Sequence, residues 1–495
     1  MRPIAPLLAL TLAAAAVAQQ EGSNAASGDG STAPKRPNVL LLLADDQRPD
    51  TIGAWGNDAI VTPNLDALAA RGTSFREAHC MGSPHGAICV PSRAMLHTGR
   101  AYHSININDF PDRRTLGQTL GEAGYTTFGT GKWHNSRGAF RRSFQTGGNV
   151  FFGGMCDHDH VPVVDLGPEG FSERREGGKH SSELFADAAV GFLEGYEADA
   201  PFFCYVAFTA PHDPRTPPGP EADPYYANRP PLPGNFMGQH PFDCGWMRVR
   251  DENLAGWPRT EEVVSDQLCE YYGLITDLDL QVGRILAALE ASGRAEDTLV
   301  IYAADHGLAM GSHGLLGKQS LYEHSSGLPL ILAGPNVPEG GRSDGLVYLY
   351  DLYPTLTEVA GAECPDDLHA TSLWPLVRGE QDSVRATLYT SLGKHQRAVR
   401  DARWKLIRYP EVEVTQLFDL QEDPLELVNL AERFEHAGTV SRLRRELEHW
   451  QAFAGDSAPW TAEETRSPEI DLTGASRKPD RWQPEWVREK YFDQD

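Results

Sequence analysis

Cys89 opens a segment, Cys89-Val90-Pro91-Ser92-Arg93-Ala94-Met95-Leu96-His97-Thr98-Gly99-Arg100, whose residue types can bind and attack an anion. Pro91 suits the first turn of a helix and Gly99 its end, which puts Cys89 at the helix N-terminus. A thiol there, beside Arg93, predicts an activated cysteine facing an anion. Further chemistry-bearing residues recur in short clusters along the chain. They are Asp45-Asp46, Lys132-Trp133-His134, His212, Asp305-His306 and Lys318. Carboxylates and imidazoles of this kind hold metals or move protons.

These clusters sit where apolar runs stop. Val39–Ala44 ends in Asp45-Asp46, Tyr125–Thr130 runs into Gly131-Lys132-Trp133-His134, Phe202–Phe208 leads to His212, and Thr298–Ala304 leads to Asp305. A further strand is expected at Leu328–Leu332, just after Lys318. Helices are expected between them at 64–70, 115–123, 182–197 and 262–292, the pattern of an α/β fold with a mostly parallel sheet. In open α/β sheets ligands bind beyond the carboxyl ends of the strands, so all of these residues are expected at one site. The Pro- and aromatic-rich stretch 213–259 has no periodicity and reads as a long loop beside that site.

Near residue 382 the character changes. Strands at 387–391, 398–409 and 416–420, then a helix at 436–453, predict a smaller α+β C-terminal domain covering 382–495, after a main domain at 36–381. Before it, Arg2, the apolar stretch 4–17 and Ala16-Val17-Ala18 read as an export signal over 1–18, followed by a Gly/Ser/Ala-rich leader over 19–35. That stretch is too short to span a bilayer. The expected location is therefore periplasmic or extracellular. Sixty-nine acidic against 44 basic residues give a net charge of −25, which disfavours nucleic acid and anionic membranes as partners. Seven cysteines are an odd number for an exported chain, leaving one with a task other than pairing.

Cys89-Val90-Pro91-Ser92-Arg93 resembles the Cys-x-Pro-x-Arg signal of the type I sulfatases, and Leu96 with Thr98-Gly99-Arg100 matches the extended signature. The likeness runs from about Pro37 to Leu430 and includes Gly317-Lys318-Gln319-Ser320-Leu321-Tyr322-Glu323 and Leu417-Phe418-Asp419-Leu420. Cys80-Met81-Gly82-Ser83 and the 317–323 segment bring it nearest to iduronate-2-sulfatase-like and bacterial glycan sulfatases. The resemblance implies an alkaline-phosphatase-like fold and a formylglycine made from Cys89 by a maturation enzyme. It also implies a divalent metal on Asp45, Asp46, Asp305, His306 and the modified Cys89. Oxygen-rich ligands favour Ca²⁺, or Mg²⁺. Many relatives carry Asn where His306 stands.

By the same resemblance, formylglycine hydrates, one hydroxyl attacks sulfur, and Asp305 takes that hydroxyl's proton. Arg93 and Lys132 hold the nucleophile and sulfate, and His134 takes the second hydroxyl's proton so that sulfate leaves. His212 and Lys318 protonate the departing oxygen. The implied function is sulfate-ester hydrolysis, with a sulfated saccharide as the expected substrate. A formylglycine-dependent phosphonate or phosphate ester hydrolase is the alternative, and a sulfated-glycan-binding protein with unconverted Cys89 a further one. Asp157-His158-Asp159-His160 is a weaker metal or substrate-contact candidate. His85 and His313 are candidates for substrate contact, and Trp246 and Trp257 for stacking on a sugar.

Overall fold

In the computed structural model the described residues are 36–473, 478 and 481–492. The expected export signal and leader lie outside them. The described residues from Arg36 onward cluster as one compact unit, and none of their helices is long and apolar enough to cross a membrane.

The core is a 12-stranded sheet. Its central strands run in the order Gly327–Ala333, Thr298–Ala304, Asn38–Ala44, Phe202–Ala207, Thr126–Lys132 and Thr146–Phe151. The last five are mutually parallel. The strands Asn38–Ala44, Phe202–Ala207 and Thr298–Ala304 are buried along their whole length. Unbroken apolar runs are what a sheet covered on both faces requires. Each fully buried Leu in Leu40–Leu43 contributes about 1.5–3 kcal/mol of transfer free energy. The helices Ser181–Glu194 and Glu261–Ala291 pack against each other beside this sheet. Thr260 caps the second of them by accepting a hydrogen bond from the Val263 amide.

The strand expected near Leu328 is present as Gly327–Ala333, antiparallel to both neighbours. Beyond it lies Gly72–His79, a strand that the sequence reading passed over. Its residues, GTSFREAH, are mixed polar and apolar, so no apolar run marks it although most are buried.

The smaller C-terminal sheet is also present, with five strands. The single strand expected at 398–409 is instead a hairpin, Gln396–Arg400 and Trp404–Tyr409, turning at Asp401–Arg403. Asp401 Oδ1 accepts hydrogen bonds from the amides of Arg403 and Trp404, closing that turn. Leu388–Leu392 in this sheet pairs with Gly82–Ser83, seven residues before Cys89. Arg400 and Lys405 reach the half-buried Glu323, and Arg400 also binds Glu77. Glu77, His79 and Glu323 have ligand spacing for a metal, but these two cations already compensate the carboxylates.

Candidate active site

Most of the clusters picked out in the sequence lie at a strand or helix end, while His212 and Lys318 come from the loops that follow Phe202–Ala207 and Thr298–Ala304. Asp45 and Asp46 follow Asn38–Ala44, Lys132 ends Thr126–Lys132, and Asp305 follows Thr298–Ala304. Cys89 is the first residue of the helix Cys89–Thr98, every residue of which is buried. Gly99 closes that helix in the left-handed conformation (φ 66°). Asp46 and His134 also adopt positive φ, 66° and 64°. Such backbone costs of order 1–3 kcal/mol each and persists where surrounding contacts enforce it.

The Cys89 sulfur lies 3.3 Å from His306 Nε2, 3.7 Å from Asp46 Oδ1 and 3.4 Å from Lys318 Nζ. Asp45, Asp46, Cys89, Asp305 and His306 each offer a ligand atom, all within 4.8 Å of one another and all buried. Three cations face the three carboxylates. Lys132 donates to Asp45. Lys318 Nζ donates to both oxygens of Asp46 at 2.9 Å. Arg93 Nε donates to Asp305 Oδ2 at 3.1 Å. His212 Nε2 stands 3.7 Å from Asp46 Oδ2. His134 Nε2 faces Gly154, where an added Cβ would lie 2.4 Å from it. Thus Asp45, Asp46, Cys89, Arg93, Lys132, His212, Asp305, His306 and Lys318 are linked directly. His134 follows Lys132 by two residues and is half-buried, with its Nδ1 enclosed and without a hydrogen-bond partner among the described residues.

The donor set suits a hard divalent cation. Asp45 Oδ1 is buried with no hydrogen-bond partner, an arrangement that costs about 1–3 kcal/mol unless something binds it. His306 Nδ1 lies 2.9 Å from the Gly307 carbonyl, which can only accept, so Nδ1 carries the proton and the Nε2 lone pair points into the cluster.

Protonation follows the same geometry. Burial alone would raise Asp305, but His306, Arg93 and Lys132 hold it below the usual carboxylate range. Burial pushes Asp46 up to about 6 against the pull of Lys318 and His306. Burial, reinforced by Asp45, pushes the Cys89 thiol well up. Burial and Lys132 hold His134 well below its ordinary value, so its imidazole is neutral at pH 7. Burial with Lys318 and Lys132 does the same to His212. Burial would discharge Lys318, but Asp46 keeps it charged. Within the His212–Lys318 pair the proton therefore resides on Lys318.

Several supporting residues had no sequence signal. Tyr271, in the middle of the 31-residue helix, donates to the Asp46 carbonyl at 2.7 Å and accepts from the Arg48 amide. Ser92 Oγ donates to the Asp305 carbonyl at 2.7 Å. Asn135 Nδ2 donates to the Val90 carbonyl at 3.1 Å.

The weaker candidates separate from the site in different ways. His158 is buried, and its Nε2 donates to the His212 carbonyl at 3.0 Å, so it braces the loop that carries His212. His160 is exposed and pairs with Glu176. The 157–160 run is therefore split between a brace and the surface rather than gathered on a metal. His313 stacks on Tyr322 at 3.9 Å and reaches the Glu426 carbonyl. It belongs to the packing beneath the second sheet. His85 stays on the half-buried loop ahead of Cys89, its Nδ1 accepting from the Ala87 amide. Trp246 packs edge-on to His395 and Trp257 lies under Arg259. All seven cysteines are free and six are buried, so the six besides Cys89 do not pair.

The profile of the sulfatase family matches residues 37–362, and that of the N-sulphoglucosamine sulphohydrolase C-terminal region matches 311–452. The chain belongs to the sulfatase family and is a sulfuric ester hydrolase of type I. Among curated relatives, an arylsulfatase of Clostridium perfringens is 27% identical over 469 residues, covering 83% of this chain and 94% of that protein. An N-acetylglucosamine-6-O-sulfatase of Bacteroides thetaiotaomicron is 25% identical over 539 residues, covering 92% and 91%. A protein solved in complex with its substrate D-glucosamine-2-N,6-O-disulfate shares the fold, with TM-score 0.73 and 22% identity over 87% of this chain and 100% of that one.

Proposed function

We propose that this sulfatase removes sulfate from a sulfated carbohydrate, with Cys89 oxidised to formylglycine as the nucleophile and a calcium ion held by Asp45, Asp46, Asp305 and His306. The observation that carries this reading is the charge pattern around Cys89, where three buried carboxylates face Arg93, Lys132 and Lys318. Those six charges cancel, so a divalent cation leaves the site positive and ready for a sulfate ester. When bound, the cation would acidify the hydroxyl of the oxidised side chain and offset sulfate charge.

The remaining roles fall to this chain's own groups. Asp305, kept ionised, accepts the proton of the attacking hydroxyl. Arg93 and Lys132 orient the nucleophile and the sulfate oxygens. Neutral His134 accepts the second proton, and the His212–Lys318 pair delivers one to the leaving oxygen. Support for a carbohydrate comes from the relatives named for amino-sugar sulfates. The expected export, to periplasm or cell exterior, places the enzyme where such polymers are met, and a formylglycine-generating enzyme is its expected partner in maturation.

The test is turnover by protein made with a maturation enzyme, on sulfated mono- and oligosaccharides beside an aryl sulfate, an aryl phosphate and a phosphonate monoester. Saccharide sulfates should give the highest kcat/KM. A much higher value for the aryl sulfate than for every saccharide removes the carbohydrate assignment. A preference for the phosphorus esters removes the sulfatase one.

Gly154→Ala probes His134 separately. Its Cβ would meet His134 Nε2 at 2.4 Å, so the ring must shift. A displacement near 1 Å in a catalytic group costs on the order of 100-fold in kcat, while thermal stability should barely move. An unchanged kcat would remove His134 from the proton path.

A further inference from the structure

Beside the catalytic cluster lies a cavity of about 380 Å³, whose lining includes Arg137, Arg174, Arg481, His160, Phe152 and Trp482 and contains no carboxylate. In a chain of net charge −25 a lining with three arginines and no carboxylate stands out electrostatically. The three arginines are exposed, and none has a carboxylate partner among the described residues. Arg137 instead lies 5.2 Å over the Phe152 ring and Arg481 lies 4.4 Å over the Trp482 ring. His160 does have an acidic neighbour, Glu176, whose carboxylate accepts from its Nδ1 at 2.6 Å. Guanidinium groups over aromatic faces leave their N–H edges available to an oxyanion, and the rings offer a surface for the C–H face of a sugar.

The cavity adjoins the reaction centre. Gly153 and Met155 line it, and Gly154 between them packs on His134. Met155 touches Arg250, which binds Asp213 beside His212. The C-terminal tail closes the ring of contacts, because Gln483, next to Trp482, donates to Asp213 Oδ2 at 3.3 Å.

We infer that this cavity binds a second anionic group of the substrate, a carboxylate or another sulfate, carried by the saccharide whose sulfate ester is cleaved. The inference rests on the sulfatase reading above and narrows it to saccharides bearing at least two negative groups. The tail residues Arg481 and Trp482 then determine specificity from the far end of the chain. An anion repelled by the protein at large is drawn locally to the arginines, and the aromatic faces orient the ring.

The experiment compares wild type with Arg174→Ala, Arg481→Ala and the double variant. The substrates are a neutral monosulfated saccharide, one carrying a uronic carboxylate as well, one carrying a second sulfate, and an aryl sulfate. Wild type should favour one of the two dianionic saccharides over the neutral one. Each single substitution should cost that substrate roughly 10-fold in kcat/KM, mainly through KM, as loss of a charge-assisted hydrogen bond does. The neutral saccharide and the aryl sulfate should change less than about twofold, since they do not reach the arginines. Preference for the carboxylate or for the second sulfate identifies which anion the cavity takes. An active wild type that shows no such preference, or variants that affect all four substrates alike, overturns this inference alone. A fully converted wild type that hydrolyses no sulfate ester overturns the sulfatase reading and this inference with it.

Discussion

Cys89→Ala, produced beside a maturation enzyme, should fold as the parent does and lose turnover by on the order of 10⁴-fold or more, the scale set by removing a nucleophile. The side chain is fully enclosed, and its sulfur has polar neighbours in His306, Asp46 and Lys318. Deleting it leaves a small polar gap, with an expected change in unfolding free energy within about 1–2 kcal/mol. The loss is thus kinetic. Thermal unfolding and steady-state rates separate the two effects, and peptide mass spectrometry of the parent reports the aldehyde at position 89. A parent fully active with an intact Cys89 thiol would end the formylglycine reading, because burial and Asp45 keep that thiol protonated at neutral pH.

How much of this was visible in the sequence depended on how locally each feature is encoded. Val39–Ala44 and Thr298–Ala304 are buried on both faces and so appear as unbroken apolar runs, and the acidic residues that follow them stand out as their ends. The helix behind Cys89 is equally explicit, with Pro91 near its start and Gly99 at its end. Gly72–His79 left no such trace. It is enclosed by neighbours on both sides, but Arg76 and Glu77 interrupt its apolar character. The Gln396–Arg400 and Trp404–Tyr409 hairpin was merged into one strand because Asp401-Ala402-Arg403 contains neither Gly nor Pro. The bracing residues were beyond reach for another reason. Tyr271 meets Asp46 across 225 positions, and His158 meets His212 across 54, contacts that only the assembled sheet creates. Gly154 is legible in hindsight as one of a Gly-Gly pair, but that it must leave room for His134 is a tertiary fact.

Asp45→Asn should lower kcat/KM on the order of 10³-fold, the several kcal/mol that an activating cation supplies. The argument starts from three contacts. Asp45 Oδ2 is taken by Lys132, Arg93 stands 3.6 Å from Oδ1, and Oδ1 itself has no hydrogen-bond partner. An amide can still accept from Lys132, but it carries no charge for a cation and places either a neutral oxygen or an N–H where Oδ1 was. Binding should weaken even though the fold survives. Two measurements independent of turnover follow. Elemental analysis of the parent should find about one divalent ion per chain, calcium being favoured by three carboxylates and magnesium admissible. Exhaustive chelation should lower the parent's unfolding temperature and calcium should restore it, because a ligand present at 100 times its Kd stabilises the folded state by about 2.7 kcal/mol. Asp45→Asn should respond far less to either treatment. Zinc should restore less than calcium, since His306 is the one nitrogen donor of the cluster and maturation removes its one sulfur donor. A parent that contains no metal and keeps both its rate and its unfolding temperature through chelation would show that Arg93, Lys132 and Lys318 alone neutralise the three carboxylates.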